Sequence, residues 1–171
     1  MRSLILLRHA KSAWDNASLG DHDRPLAPRG ERASLVIGRY LRQLGTPIDL
    51  ALSSTARRAR DTWALASTQL DGLIATETDP AFYLKGPKAI LNRVSAADDS
   101  AQTIILVGHN PDTQSLAMTL AESGPSEQRQ ALAQKLPTAA LVRLELPIER
   151  WADVSDCRGK LIEFITPRML V

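Results

Sequence analysis

Two histidines in this chain of 171 residues each follow a short run of the kind that forms a buried strand. Four consecutive apolar residues, 4–7, precede Arg8 and His9, and a second strand-like run, 103–107, ends two residues before His109. In open α/β sheets, ligands bind beyond the carboxyl ends of the strands. We therefore expect Arg8, His9 and His109 to meet at one edge of a sheet and to form a site there.

A cluster of arginines at the start of a predicted helix adds positive charge. Arg57, Arg58 and Arg60 lie in the first turns of a helix predicted from Ala56 to about Leu70. The helix dipole disfavours a cation in the first turn, so an arginine there needs either solvent or an anionic partner. We expect solvent to satisfy two of the three, and spacing alone does not separate Arg58 from Arg57.

Guanidinium groups and imidazoles together are suited to phosphoryl transfer. Arginine presents forked donors that match phosphate oxygens, and histidine is an accepted covalent nucleophile. His9 must be neutral to attack phosphorus, and the neighbouring cations Arg8 and Arg58 disfavour its protonated form. His109 can then donate a hydrogen bond to the charge that develops on the transferred group. Because the arginines supply the positive field, we expect neither a metal nor a cofactor.

Other motifs for phosphate binding or nucleophilic catalysis are absent. The sequence has no Gly-rich loop of the nucleotide-binding kinds and no Gly-x-Ser-x-Gly elbow. The triplet Asp21-His22-Asp23 is a weaker alternative, because it is similar to an aspartyl-phosphate or metal site. Its place in a loop, rather than after a buried strand, disfavours both interpretations.

The segments between these residues alternate between short apolar runs and amphipathic helices. Residues 10–23 lack an apolar period and are predicted to form a loop over the site. Further strands are predicted at 48–53, 73–76, 139–146 and 161–165, and helices around 35–44, 56–70, 87–94, from 111 and at 126–134. This alternation favours an α/β sheet covered on both faces, with the last two strands antiparallel at an edge. We expect one domain over residues 1–171.

Composition limits the partners and the compartment. The formal net charge of +2 is too small to indicate a nucleic-acid or membrane partner. The one cysteine, Cys157, excludes an internal disulfide and fits a reducing compartment. The amino-terminal apolar run is too short for a signal peptide, and no stretch approaches a membrane span. We therefore expect a cytoplasmic protein.

Three short segments resemble the signatures of the histidine phosphatase superfamily. They are Leu7 to Ser12, the pattern Arg58-Ala59-x-x-Thr62, and Val107 to Pro111. Within that superfamily, three segments are similar to those of small SixA-type phosphohistidine phosphatases. They are Arg-His-Ala-Lys-Ser at 8–12, Asp-Arg-Pro-Leu at 23–26 and Leu-Pro-Thr at 136–138.

The resemblance implies a three-layer α/β/α fold of the phosphoglycerate-mutase-like kind and a covalent phosphohistidine intermediate on His9. It also implies that Arg8, Arg58 and His109 complete the phosphate pocket, and its pattern selects Arg58 rather than Arg57. Ser12 and Arg24 are further candidates for substrate binding, although a turn cap and a packing role account for them equally well. The implied partner is a phosphorylated protein or a small phosphoester, with inorganic phosphate as the product.

One departure from the superfamily bears on the substrate. Many members carry a glutamate general acid after the third strand; the candidates here are Glu77 and Asp79, and neither lies in a matching pattern. Expelling an alkoxide requires a proton from such an acid, whereas imidazole protonates unaided near pH 6.5. A site without a well-placed acid is therefore better suited to breaking N–P than O–P bonds.

These observations favour a phosphatase that removes phosphate from phosphohistidine on a protein. The short chain leaves little material for a cap, which fits an open cleft that admits a protein side chain. A metal-independent phosphomonoesterase acting on a small phosphorylated metabolite is the alternative among enzymes. A phosphate-binding module without turnover is the alternative from another class, and two histidines disfavour it because binding needs only the arginines.

Overall fold

A computed structural model describes all 171 residues and contains one seven-stranded sheet. The strands, in chain order, are β1 (Arg2–Arg8), β2 (Leu50–Ser54), β3 (Ala75–Asp79), β4 (Thr103–Gly108), β5 (Ala121–Ser123), β6 (Leu141–Leu146) and β7 (Gly159–Ile165). The helices are α1 (Pro28–Leu44), α2 (Arg57–Ser67), α3 (Pro87–Ser95), α4 (Asp112–Leu120) and α5 (Ser126–Gln134). None of them combines the length and the apolar character needed to span a bilayer.

The strand order is β3-β2-β4-β1-β6-β7-β5, so the first strand of the chain lies at the centre of the sheet. β1 pairs in parallel with β4, and β2 pairs in parallel with both β4 and β3. β6 is antiparallel to its neighbours β1 and β7. The carboxyl ends of β1, β2 and β4 therefore share one edge with the amino end of β6.

The sheet is covered on both faces, which confirms the predicted α/β architecture with three layers. Successive residues of a strand point to opposite faces. In β1 the side chains of residues 4–7 are fully buried on both faces, and they alternate between two apolar clusters. Leu4 and Leu6 belong to an apolar cluster of 25 residues that includes residues of α3, α4 and α5. Ile5 and Leu7 belong to a cluster of 14 residues that includes residues of α1 and α2.

Most elements lie where the sequence predicts them, but β3 does not. The strand predicted at 73–76 is found at Ala75–Asp79, and Leu73 is fully exposed. β3 is an edge strand with mostly exposed, polar side chains, so an apolar run does not mark it. β6 and β7 pair antiparallel as predicted, with the unpredicted three-residue β5 beyond them.

Candidate active site

Backbone hydrogen bonds fix His9 at the point where β1 leaves the sheet. Arg8 is in register with Gly108 of β4, and the His9 N–H donates to the Gly108 carbonyl at 3.0 Å. From the other side, the Ala139 N–H lies 3.0 Å from the carbonyl oxygens of both Arg8 and His9. The strand ends of β1 and β4 and the segment before β6 therefore hold His9 together.

The imidazole of His9 is buried and poised as a neutral base. Its Nδ1 lies 2.8 Å from the Ala10 carbonyl oxygen, which can only accept, so Nδ1 carries the proton and Nε2 keeps its lone pair. Nε2 lies 3.4 Å from Nε of Arg58, which donates to it. The pKa of His9 is lowered to about 4, chiefly by burial; the Ala10 hydrogen bond opposes this shift, and the charges of Arg58 and Arg8 add to it. His9 is therefore neutral near pH 7, as a nucleophile must be.

His109 faces His9 with 5.0 Å between the ring centroids. Its Nε2 lies 2.7 Å from the Ser54 hydroxyl oxygen, and its buried Nδ1 has no hydrogen-bond partner in the protein. Burial, followed by the nearby His9 and Arg58, lowers the pKa of His109 to about 3. The second imidazole is therefore also neutral, and one of its nitrogens lacks a partner.

Three guanidinium groups lie around the two rings. Arg58 donates from Nη1 to the Asp21 carbonyl at 2.7 Å and from Nη2 to the Asp21 carboxylate at 3.0 Å. Arg24 donates to the Ser12 hydroxyl at 2.9 Å, and its guanidinium carbon lies 3.3 Å from the centroid of the Trp14 ring. Arg8 donates from Nη1 to the Leu136 carbonyl at 2.9 Å. Arg58 and Arg8 are thus held by groups from distant parts of the chain, and Arg24 by two residues of the preceding segment.

These side chains line one open cavity of about 380 Å³. All six residues predicted to bind the phosphate or the substrate are in its wall: Arg8, His9, Ser12, Arg24, Arg58 and His109. The other lining residues are Lys11, Trp14, Asp21, Leu84, Asn110 and Thr138. Arg57, the neighbour that spacing left open, points outward and pairs with Asp61 at 3.4 Å. The cavity is suited to holding a phosphoryl group against Nε2 of His9.

Comparison with known proteins identifies the family. An uncharacterised protein of Mycobacterium tuberculosis is 36% identical over 164 residues, covering 95% of this chain and 100% of that protein. A family model described as histidine phosphatase superfamily (branch 1) matches residues 4–83. The chain belongs to the histidine phosphatase superfamily.

Two solved structures of the superfamily are similar over almost the whole chain. A protein of Nakamurella multipartitia, provisionally named phosphohistidine phosphatase SixA, has a TM-score of 0.85 and 28% identity, covering 97% of this chain and 96% of that one. The protein histidine phosphatase SixA complexed with tungstate has a TM-score of 0.76 and 21% identity, covering 99% of both chains. The fold is therefore phosphoglycerate-mutase-like, as predicted.

Asp21 lines the cavity, whereas the sequence analysis considered it only as part of the disfavoured aspartyl-phosphate or metal triplet. Its carboxylate accepts hydrogen bonds from the Tyr83 hydroxyl and from Arg58. These bonds, with the Tyr83 bond the larger cause, hold the pKa of Asp21 below its usual range. The one feature of the sequence that could have pointed to Asp21 is an arginine three residues later. This residue, Arg24, places its Nε 3.4 Å from the Asp21 carboxylate.

The triplet Asp21-His22-Asp23 does not form a metal site. His22 turns its Nε2 to the Thr55 hydroxyl at 2.9 Å, away from the Asp21 carboxylate that binds Arg58. No group of three or more histidine, cysteine, aspartate or glutamate side chains in the structure is arranged to hold a metal ion.

Glu77 and Asp79, the predicted candidates for a general acid, are not brought to the cavity. Both lie on the edge strand β3 and both form ion pairs with Arg93 of α3, the Asp79 pair at 3.1 Å. Asp79 also accepts a hydrogen bond from the Ala81 N–H at 2.8 Å. The strand predicted at 73–76 would place both residues in the loop after it. In the structure β3 spans Ala75–Asp79, so both residues lie within the edge strand and not in a loop at the site.

Proposed function

We propose that this protein is a phosphatase that forms a covalent phosphohistidine on His9 and acts on phosphohistidine carried by another protein. The observation that carries the proposal is a neutral His9 in a cavity lined by three guanidinium groups, with an Nε2 lone pair that accepts only a long hydrogen bond of 3.4 Å from Arg58. The similarity of the chain to the structure from Nakamurella multipartitia that is provisionally named phosphohistidine phosphatase supports the same chemistry.

The first step transfers the phosphoryl group to His9. Nε2 attacks phosphorus, the Nε2–P bond forms, and the bond from phosphorus to the substrate nitrogen breaks with its electron pair going to the departing imidazole. Arg8, Arg24 and Arg58 all line the cavity, and their guanidinium groups supply the donors for the non-bridging oxygens. His109 donates to the charge that develops on those oxygens.

The second step returns the enzyme to its resting state. Water attacks the phosphorus of phosphohistidine 9, the Nε2–P bond breaks, and its electron pair returns to Nε2. The attacking water releases one proton to solvent, which balances the proton that the departing imidazole takes from water in the first step. The products are inorganic phosphate and free His9. Because the same donors hold the phosphoryl group in both steps, no group in the site has to move between them.

The nature of the leaving group follows from the charge of Asp21. Asp21 is the carboxylate in the cavity wall, and its lowered pKa keeps it ionised at neutral pH. An ionised carboxylate cannot supply the proton that an alkoxide leaving group needs. A departing imidazole accepts a proton from water instead, which favours a phosphohistidine over a phosphate ester.

The rim of the cavity supports a protein as the substrate carrier. Trp14 is 73% exposed and Leu84 is 50% exposed, and both line the cavity mouth. Leu84 has a φ of +56°, a left-handed conformation that costs a non-glycine residue roughly 1–2 kcal/mol. Exposed large apolar side chains around a polar pocket are typical of a contact with another protein.

A comparison of substrates tests the proposal. The purified protein should hydrolyse a phosphohistidine-bearing protein at least 10²-fold faster, in kcat/KM, than phosphoserine peptides or sugar phosphates. Faster hydrolysis of sugar phosphates would overturn the proposal in favour of a metabolite phosphomonoesterase. Binding of phosphate without turnover of any of these compounds would identify a binding module.

Replacing Leu84 by alanine should separate protein substrates from small ones. We expect kcat/KM to fall about tenfold for the phosphohistidine protein, because losing roughly 1.4 kcal/mol of contact energy corresponds to a tenfold change. The fall for phosphoimidazole should be much smaller, because that compound does not reach the rim. Leu73→Ala, at a fully exposed leucine outside the cavity, is the matched control. Equal losses on both substrates would contradict a rim contact.

A further inference from the structure

The hydroxyl group of Ser54 contacts His109 from outside the cavity wall. Ser54 ends β2, is fully buried and does not line the cavity. Its Oγ lies 2.7 Å from Nε2 of His109 and accepts a hydrogen bond from the Ala56 N–H at 3.1 Å. The Ala56 bond uses the hydroxyl oxygen as an acceptor, and His109 Nε2 is the one protein atom left to receive the hydroxyl proton.

The proton on His109 can be assigned from this arrangement. If Nε2–H donated to Ser54, the buried hydroxyl proton would have no acceptor, at a cost of about 1–3 kcal/mol. If Ser54 donates to Nε2, the hydroxyl is fully satisfied and the ring proton lies on Nδ1. Nδ1 is buried and has no partner in the protein, so an N–H there is a donor that can bind an acceptor atom of the substrate.

The position of that proton matters because His109 is neutral. A neutral imidazole has one N–H donor and one lone pair, and exchanging them turns a donor into an acceptor. A lone pair directed at a phosphoryl oxygen would repel it, whereas an N–H stabilises the charge that grows on it. Since Nε2 is occupied by Ser54, Nδ1 is the nitrogen left for the substrate.

We propose that Ser54 is a positioning residue that holds His109 in the tautomer with the proton on Nδ1, so that the site presents an N–H donor to the transferred phosphoryl group. The catalytic consequence rests on the proposed phosphatase function, whereas the tautomer does not. Ser54 touches neither His9 nor the cavity, and it acts through His109.

The test combines kinetics with ¹⁵N nuclear magnetic resonance of the histidine rings near pH 7. The wild-type protein should show the His109 proton on Nδ1, and Ser54→Ala should move it to Nε2 or give a mixture. The same variant should lose about 10²-fold in kcat on phosphohistidine, the usual effect of removing one oxyanion donor. Ser54→Thr keeps the hydroxyl and should restore the Nδ1 tautomer and most of the rate.

Ser53→Ala is the matched control. Ser53 is as buried as Ser54 and also lies in β2, but its hydroxyl donates to the Ser54 carbonyl at 2.9 Å and touches no histidine. It should leave the tautomer and kcat unchanged.

A wild-type proton on Nε2 would overturn the proposal, as would a Ser54→Ala protein that keeps both the tautomer and the rate. If Ser54→Ala does not fold, the wild-type spectrum alone decides the assignment. A protein with the Nδ1 proton but no activity on any substrate would overturn the phosphatase function and leave the tautomer assignment standing.

Discussion

Replacing His9 by alanine is expected to lower kcat on phosphohistidine by about 10⁵-fold or more, because covalent catalysis is lost with its nucleophile. The arginines remain, so phosphate should still bind to the variant. The measurement pairs steady-state rates with trapping of ³²P-labelled protein in an alkaline quench, since phosphohistidine is labile in acid. Wild type should carry one label per chain, and His9→Ala should carry none.

His22→Ala is the control for this experiment. His22 lies in the loop beside the site, is outside the cavity wall, and contacts the Thr55 hydroxyl rather than the substrate groups. Its removal should leave the label and change kcat by less than tenfold. A label that survives in His9→Ala, or one that disappears in His22→Ala, would assign the intermediate to another residue.

Arg58→Ala is expected to have the second largest effect. In the proposed mechanism the remaining Nη1 and Nη2 protons of Arg58 bind two phosphoryl oxygens; losing two such charge-assisted hydrogen bonds, each worth roughly 1.5–3 kcal/mol, corresponds to a loss of about 10³-fold in kcat/KM. Arg58→Lys should recover only part of this loss, because an ammonium group keeps the charge without the two-pronged geometry. The rate measurement should be accompanied by the inhibition constant for tungstate, which should weaken in parallel.

The neighbouring arginine supplies the comparison for Arg58. Arg57→Ala removes an identical side chain one residue earlier in α2, where the guanidinium is half exposed and paired with Asp61. It should change kcat/KM by less than twofold, because exposed ion pairs contribute little. Equal losses in the two variants would mean that the general positive field, rather than a direct contact, is what the substrate requires.

The part of the cavity wall that holds the two histidines could be predicted because it lies at the ends of buried strands. Apolar runs identify β1 and β4, and the parallel pairing of the two brings His9 and His109 to one edge. Spacing predicted an arginine from the start of α2, and only the similarity of the Arg-Ala-x-x-Thr pattern to a family selected Arg58. These residues depend on regular secondary structure, which leaves a periodic signal in the sequence.

The remainder of the site depends on loops, which leave no such signal. Asp21 reaches Arg58 and Tyr83 across 37 and 62 residues of chain, in contacts that no local pattern encodes. The resemblance to the superfamily predicts an acid after the third strand, and the strand predicted at 73–76 puts Glu77 and Asp79 at that place. The true β3 is polar because it lies at the sheet edge, where side chains meet water rather than a core.

The central position of β1 has a consequence for the newly made chain. β1 leaves the ribosome well before its hydrogen-bonding partners, which come about 100 residues later for Ser3 with Thr103, and later still for Arg2 with Leu146. Such non-local pairing carries a large loop-closure entropy and is slow to form. A nascent chain that ends before β6 would leave one side of β1 unpaired, so the backbone setting of His9 is complete only after β6 has been synthesised.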